Sequence, residues 1–238
     1  MKVDVLFYPE KLKNVNDKAV VVLDVLRATT TIAAALANGA EKIYPVASIK
    51  EAFSLKKKIP DALLGGERGG IKVPGFDLGN SPLEYQNIAG KTVILSSTNG
   101  TKTLKKVASA QKLLAGGIAN AQAVALYLLK LELDVIFMPS GTDFQFSLED
   151  FAGAGYIISL LAKQKKLELT DRAFVSLKIA QNTKPLDILT RSFHGQRLIN
   201  LGFKADVEFC AKLNSLEVVP EGKVVEGRLI IENSRFLR

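Results

Sequence analysis

The segment AVVVLDVLRATTTIAAA, residues 19–35, brings an acid, a base and three hydroxyls together at one turn. Residues 19–23 form a short apolar run rich in β-branched side chains, which predicts a strand buried on both faces. Asp24 and Arg27 follow this strand, and then come three threonines and an alanine-rich stretch that favours helix. Such a strand-turn-helix unit offers N–H groups, hydroxyls and the positive end of the helix dipole to an anion. A carboxylate beside an anion site indicates a metal.

Two further predicted strands, residues 91–95 and 133–138, also end in hydroxyl-rich turns. Because loops at the carboxyl ends of parallel strands share one edge of a sheet, we expect these turns to converge with the first one. The predicted substrate-binding residues are Arg27, Thr29, Thr30, Thr31, Arg68, Thr98, Asn99, Gly100, Thr101, Ser140, Gly141 and Thr142.

Residues 65–79 read GGERGGIKVPGFDLG, which predicts a long loop with little structure of its own. Loops of this length more often carry function than serve only as connections. The charged residues Glu67, Arg68 and Asp77 favour a functional role for this loop. Arg68 adds a second guanidinium to that of Arg27. Guanidinium forks match the oxygens of phosphate and sulfonate groups.

Carboxylates among such anion-binding groups repel an anionic ligand unless some of them hold a hard cation, and with oxygen ligands Mg²⁺ is the usual choice. This combination predicts phosphoryl transfer, with the cation and arginines neutralising charge in the transition state. Taken one at a time, the same residues also fit helix caps and surface charges. The predicted metal ligands are Asp24, Glu67, Glu149 and Asp150, and the predicted catalytic residues are Asp24, Arg27 and Glu67.

Several other site types are excluded by specific absences. The sequence has no GxxxxGK[ST] loop and no GxGxxG after a strand. Asp24 lacks the second aspartate, two positions later, of haloacid-dehalogenase-type phosphatases, because that position is Leu26. His194, the only histidine, is interpreted as a structural hydrogen-bonding residue, with a catalytic role as the alternative, and Cys210 is interpreted as a small buried apolar residue.

Strands alternating with helices predict a three-layer α/β/α fold with a mostly parallel or mixed sheet. The 238 residues, 47% of them hydrophobic, can bury a sizeable core in a single domain spanning 1–238, or in two intimate lobes. Residues 31–52 and 101–123 share an order of elements that fits a weak internal duplication. Towards the carboxyl end we expect helices at 171–182 and 184–193 and strands at 217–219 and 223–232, with few candidate site residues.

The net charge of +8 is spread over predicted helices, and aromatic residues make up only 7% of the chain. We therefore interpret the charge as a solvated surface that attracts a small anionic substrate, with no role in binding nucleic acid. The single cysteine and the absence of a signal peptide or membrane span predict a cytoplasmic protein without a membrane partner. We expect it to form a homo-oligomer.

The strings VVLDVLRATTTI, LLGGERGG, GFDLGNSPLEY, SSTNGT, FSLEDFAGAG and SFHGQRL occur in this order. They resemble the 2-phosphosulfolactate phosphatase family of coenzyme M biosynthesis, over nearly the whole of residues 24–220. The resemblance implies a Mg²⁺-dependent hydrolase that releases phosphate from (2R)-2-phospho-3-sulfolactate to leave (2R)-3-sulfolactate, on an α/β fold particular to the family. The positions that match it and carry candidate chemistry are Asp24, Arg27, Glu67, Arg68, Asn99 and Glu149.

The sequence thus predicts a Mg²⁺-dependent phosphatase acting on a small organic acid with several negative charges. The alternatives are a non-catalytic anion-binding or sensor protein, a phosphatase of another small phospho-acid, and a lyase or transferase that uses the same pocket. Assays of phosphate release with and without Mg²⁺ distinguish them.

Overall fold

The computed structural model describes residues 1–10, 12, 15–142 and 145–234. Within these residues the strands are β1 (Lys2–Val5), β2 (Lys18–Leu23), β3 (Lys42–Val46), β4 (Leu63–Arg68), β5 (Ile71–Lys72), β6 (Thr92–Ser96), β7 (Lys112–Gly116), β8 (Asp134–Pro139), β9 (Glu168–Leu169), β10 (Pro220–Val225) and β11 (Arg228–Asn233). The helices are α1 (Ala28–Ala37), α2 (Ile49–Lys56), α3 (Gly100–Lys106), α4 (Ala121–Leu131), α5 (Leu148–Ala162), α6 (Asp171–Asn182), α7 (Pro185–Arg191), α8 (Phe193–Asn200) and α9 (Lys204–Cys210), with a 3-10 turn at Pro82–Glu84.

All the described strands belong to one mixed sheet, in the order β5-β4-β6-β3-β11-β10-β7-β2-β8-β1-β9. Strands β4, β6 and β3 are parallel to one another, and we call them the small block. Strands β7, β2, β8, β1 and β9 form a second parallel set, the large block. The β10–β11 hairpin lies between the blocks and pairs antiparallel with β7 and with β3, so the two blocks run in opposite directions.

Opposite directions place the carboxyl ends of the two blocks at opposite edges of a flat sheet. This sheet has five strand pairings between β6 and β2. At about 20 to 25° of twist for each pairing, the rotation adds up to roughly 100 to 125°, which leaves the strands of the two blocks far from antiparallel. A hydrogen bond from Thr31 Oγ1 to the Asn80 carbonyl (2.8 Å) joins elements that follow β2 and β4.

Strand β2 is buried on both faces, which confirms the interpretation of its apolar run. Val21 and Leu23 belong to one hydrophobic cluster, together with side chains of α4 and α5. Val20 and Val22 belong to a second cluster, together with side chains of α1 and α3. Helices therefore cover both faces of the sheet, and the prediction of a three-layer α/β fold with a mixed sheet is confirmed. Among the described residues no helix is long and apolar enough to cross a bilayer.

The element boundaries differ from the predictions in three places. Strand β4 continues to residue 68 and pairs there with β5, so the segment 65–79, predicted to be a long loop with little structure of its own, contains strand structure. The helix predicted at 184–193 ends at 191, because Ser192 takes an extended conformation and caps α8. The strand predicted at 223–232 is a hairpin that turns at Glu226 and Gly227, both with positive φ, and residues 217–219 form no strand.

Helix α5 is important for the site because its first turn carries two acidic residues. Ser147 Oγ accepts a hydrogen bond from the Asp150 amide (3.3 Å) and so caps the helix. Farther along, the helix lies close to α6 at Gly155, where an added Cβ would come within 2.1 Å of the Ser176 carbonyl oxygen.

We predict that Gly155→Ala destabilises the protein by about 1 to 3 kcal/mol, because the added methyl group must separate α5 from the backbone of α6. Helix propensity acts in the opposite direction, favouring alanine by about 1 kcal/mol. Urea denaturation measures the difference. Ser159→Ala, on a partly exposed face of the same helix, is the control and should leave stability within about 0.5 kcal/mol of the wild type. An equally stable Gly155→Ala protein would contradict the close packing.

Candidate active site

A cavity of about 180 Å³ lies where the carboxyl ends of the two blocks meet. It is smaller than the roughly 300 to 1,000 Å³ typical of sites for drug-sized ligands, so its size suits a small metabolite. The residues that line it are Asp24, Leu26, Arg27, Glu67, Gly69, Gly70, Asn80, Thr98, Asn99, Gly141, Thr142, Glu149, Asp150, His194 and Arg197.

Asp24 lies directly after β2 and is 8% exposed. Its Oδ1 accepts a hydrogen bond from the Ala28 amide (3.1 Å) at the start of α1. Burial raises the pKa of Asp24 to about 6, although the Ala28 amide and the charge of His194 act to lower it. At Gly100 a Cβ would come within 2.5 Å of Asp24 Oδ2, so a glycine there lets the turn after β6 approach this carboxylate.

Glu67 lies near the end of β4 and joins two loops of the small block. Its Oε2 accepts hydrogen bonds from the Gly70 amide (2.9 Å) and the Thr98 hydroxyl (3.1 Å). Its Oε1 accepts one from the Thr98 amide (2.7 Å). The carboxylate therefore holds the turn formed by Gly69 and Gly70 after β4, which we call the glycine turn, against the turn after β6.

Glu149 and Asp150, both 3% exposed, lie in the first turn of α5. Asp150 accepts hydrogen bonds from the amides of Val25 (2.8 Å) and Gly141 (3.2 Å). Burial raises the pKa of Asp150 well above its usual range, and the charges of Glu149 and Asp24 raise it further. Among the described residues, no three or more Asp, Glu, His or Cys side chains are grouped so as to hold a metal ion.

Arg27 lines the cavity but is 2% exposed and is held on several sides. Its Nη1 lies 2.5 Å from Asp206 Oδ2 in α9, and its Nη2 donates to the Gly70 carbonyl at 2.5 Å. The guanidinium also lies over the Phe203 ring, 4.3 Å from its centroid. The Ser81 hydroxyl donates to the other Asp206 oxygen at 2.6 Å. Arg27 therefore joins the large block, the glycine turn and the carboxyl-terminal helices.

The threonines of the first turn are at most 1% exposed and do not line the cavity. The Thr29 hydroxyl accepts from the Asp24 amide (3.0 Å), and the Thr30 hydroxyl donates to the Val25 carbonyl (2.9 Å). The Thr31 hydroxyl donates to Asn80, as described above. The Thr29 and Thr30 hydroxyls satisfy backbone groups of the turn, which is the ordinary role of Ser and Thr at helix starts, whereas the Thr31 hydroxyl bonds the backbone of the other block.

The other predicted substrate-binding residues divide into two sets. Arg68 turns away from the cavity, with its guanidinium bonded to the Ser96 hydroxyl (2.9 Å) and carbonyl (3.3 Å). Gly100, Thr101 and Ser140 also lie outside the lining. The predicted residues that do line it are Thr98, Asn99, Gly141 and Thr142, besides Arg27 and the four carboxylates.

Three polar residues that line the cavity are not among the predicted site residues: Asn80, His194 and Arg197. Asn80 Oδ1 and His194 Nδ1 are buried and have no hydrogen-bond partner among the described residues. Unpartnered buried polar atoms are costly, and they are expected where a ligand or water completes the site. His194 and Arg197 are three residues apart in α8, a spacing that places two side chains on one face of a helix. That spacing is the sequence signal that could have identified His194 and Arg197 as a pair of site residues.

A larger cavity of about 600 Å³ lies beside the β10–β11 hairpin. Ion pairs hold three of the charged side chains that line it: Glu221, Lys223 and Glu232. Glu221 accepts from Lys112 (2.6 Å) and from the Tyr127 hydroxyl (2.8 Å), and Lys223 pairs with Glu232 (2.6 Å). Paired groups leave little for an ionic ligand to satisfy, so we assign the functional site to the smaller cavity.

We predict that Arg27→Met destabilises the protein by about 3 to 5 kcal/mol in urea denaturation, because it leaves the Asp206 carboxylate buried without its cation. The double variant Arg27→Met with Asp206→Leu should be more stable than the single variant, since it removes both charges. Arg191→Met, on the exposed side of α7, is the control and should change little. A loss below about 1 kcal/mol would show that the ion pair does not hold the site together.

We also predict a pH-dependent gain in stability from Asp24→Asn, measured in chelator. The raised pKa means that protonated Asp24 stabilises the fold fully below pH 3.8, and that this contribution is lost as pH rises through about 6. At pH 8 the variant, which cannot ionise, should therefore be more stable than the wild type by on the order of 2 kcal/mol. The difference should shrink towards pH 4, and a gain independent of pH would contradict the burial of this charge.

Comparison with known proteins agrees with the resemblance found in the sequence. The family model of 2-phosphosulpholactate phosphatase matches residues 6–224. A probable 2-phosphosulfolactate phosphatase of Carboxydothermus hydrogenoformans is 78% identical over 238 residues, covering all of both chains. Proteins of the same description from Clostridium perfringens and Symbiobacterium thermophilum are each 41% identical, over 94% and 87% of this chain and 94% of each relative. The chain therefore belongs to the 2-phosphosulpholactate phosphatase family, a family of phosphoric monoester hydrolases.

Proposed function

We propose that this protein is a Mg²⁺-dependent phosphatase that hydrolyses (2R)-2-phospho-3-sulfolactate to (2R)-3-sulfolactate and phosphate. The names of the relatives supply the substrate. The observation that carries the proposal is a small cavity lined by four carboxylates, two arginines and a histidine, with buried polar atoms that have no hydrogen-bond partner among the described residues. A cytoplasmic location, a homo-oligomeric state and a role in coenzyme M biosynthesis belong to the same proposal.

The charges of the cavity support a cation-dependent reaction. The substrate carries a phosphate, a sulfonate and a carboxylate, and all three are repelled by ionised carboxylates. Burial raises the pKa of Asp150, and the repulsion that Glu149 and Asp24 exert on it raises it further. A divalent cation removes this repulsion and the repulsion of the substrate together.

The carboxylates present fit Mg²⁺, which often binds through one or two carboxylates and completes its shell with water and substrate oxygens. The Glu149 carboxylate makes no hydrogen bond with a described residue, and Asp150 follows it in the same helical turn. These two residues would hold the ion, while Asp24 and Glu67 complete the acidic surface around it. When bound, Mg²⁺ withdraws charge from the phosphate oxygens and so stabilises the transition state.

The protein's own residues supply the proton transfers. Water attacks phosphorus, the P–O bond to C2 breaks, and one proton must leave the water while another reaches the C2 oxygen. Asp24, with a pKa of about 6, is ionised at neutral pH and accepts the proton from the water. His194, whose Nδ1 has no partner among the described residues, donates a proton to the leaving oxygen.

The remaining polar groups bind and position the substrate. Asn99 and Thr142 line the cavity and offer a side-chain amide and a hydroxyl to phosphate oxygens, whereas the Thr98 and Gly141 donors are held by Glu67 and Asp150. Glu67 acts as a positioning residue, because its hydrogen bonds to Thr98 and Gly70 hold the turn that carries Asn99 against the turn after β4.

The proposal predicts release of phosphate from 2-phospho-3-sulfolactate that stops in EDTA and returns with excess Mg²⁺. Glu149→Gln should raise the Mg²⁺ concentration for half-maximal activity by roughly tenfold or more, because the amide binds the hard cation more weakly. Glu208→Gln, an exposed change on α9, is the matched control and should leave that concentration unchanged.

Full activity in chelator would contradict the Mg²⁺ dependence alone. If 2-phospho-3-sulfolactate is bound but no phosphate is released at any Mg²⁺ concentration, the protein is an anion-binding module. Release from other phospho-acids but not from 2-phospho-3-sulfolactate would assign the site to a different phosphatase substrate.

A further inference from the structure

The two arginines that line the cavity are not equivalent. Arg27 is 2% exposed and paired with Asp206, so its charge is already neutralised within the protein. Arg197 is exposed, and no carboxylate among the described residues lies within ion-pair distance of it. Arg197 is therefore the guanidinium of the cavity that retains its charge for a ligand.

The glycine turn after β4 orients both arginines. The Gly70 carbonyl accepts from Arg27 Nη2 (2.5 Å), and the preceding carbonyl, that of Gly69, lies 3.5 Å from Arg197 Nη2. The turn also packs against α8, because a Cβ at Gly70 would lie 3.0 Å from the Leu201 side chain. The carbonyls of Gly69 and Gly70 thus lie next to two guanidinium groups. That of Arg27 is paired with Asp206, and that of Arg197 has no ion-pair partner among the described residues. The long contact to Gly69 leaves most N–H donors of Arg197 for another partner.

Arg197 is solvent-exposed, whereas the carboxylates of the cavity are buried. Asp24, Glu149 and Asp150 are 8%, 3% and 3% exposed and form the deep part of the cavity, whereas Arg197 is at its open rim. The proposed substrate has a matching division. Its phosphate requires the acidic, cation-binding part, and its sulfonate is an unreactive anion whose three oxygens match a guanidinium fork.

We propose that Arg197 binds the sulfonate of the substrate and determines the selectivity of the enzyme for sulfonated over unsulfonated phospho-acids. This inference rests on the proposed function. Binding energy from the unreactive sulfonate helps to position the phosphoester, so its loss lowers kcat as well as affinity.

The test compares kcat/KM for 2-phospho-3-sulfolactate with that for 2-phospholactate, which lacks the sulfonate. The wild type should prefer the sulfonated substrate by roughly tenfold or more. In Arg197→Gln this ratio should fall to about one, and Arg197→Lys should recover part of it, because a single ammonium replaces the fork. Arg191→Gln, an exposed arginine on α7 outside the cavity, is the control and should keep the wild-type ratio. An unchanged ratio in Arg197→Gln would overturn the inference while leaving the phosphatase proposal intact.

A binding measurement tests the role of Arg197 independently of turnover. Calorimetric titration with 3-sulfolactate should show affinity for Arg197→Gln reduced tenfold or more, and an unchanged affinity for Arg191→Gln. Equal affinities of the wild type and Arg197→Gln would overturn the assignment. If the wild type releases no phosphate from either substrate, the proposed function fails, and this titration still shows whether Arg197 binds the sulfonate.

Discussion

The buried ion pair between Arg27 and Asp206 is the interaction on which the candidate site depends. It joins the turn after β2 to a helix near the carboxyl end of the chain, and it extends to the Gly70 carbonyl and the Ser81 hydroxyl. Each of these groups comes from a different part of the sequence. Buried ion pairs add little net stability when they are complete, but they are costly to break. The pair therefore specifies how the elements meet more than it stabilises the fold.

That specification is needed because the two parallel blocks run in opposite directions. The β10–β11 hairpin reverses the sheet, so the carboxyl ends of the two blocks do not share one edge by strand direction, and yet residues of both line one cavity. Asp24 belongs to one block and Glu67 to the other. Side-chain hydrogen bonds across the junction, such as that from Thr31 to the Asn80 carbonyl, then fix the position of one block relative to the other. The cavity lies at this junction, where neither block alone contains a complete set of polar groups.

Local patterns in the sequence were sufficient to predict β2, its turn and the carboxylates at the strand ends, because each depends on residues a few positions apart. They were not sufficient to predict the insertion of the last hairpin between the two blocks, which is a pairing over a long sequence separation. The same limit explains the wrong expectation for Arg68. Its predicted role required the side chain to point into the cavity, but in the fold the guanidinium points away from the cavity and bonds Ser96. It also explains His194 and Arg197, which reach the cavity because α8 folds back onto the glycine turn.

We infer that the substrate reacts in the cavity between the two blocks. A crystal structure of the protein with Mg²⁺ and (2R)-3-sulfolactate shows whether it binds there. We expect the product in this cavity, with the cation bound by the carboxylates of α5 and the sulfonate against Arg197. Product bound instead in the larger cavity beside the β10–β11 hairpin, with the cavity at Asp24 free of both cation and product, would contradict it.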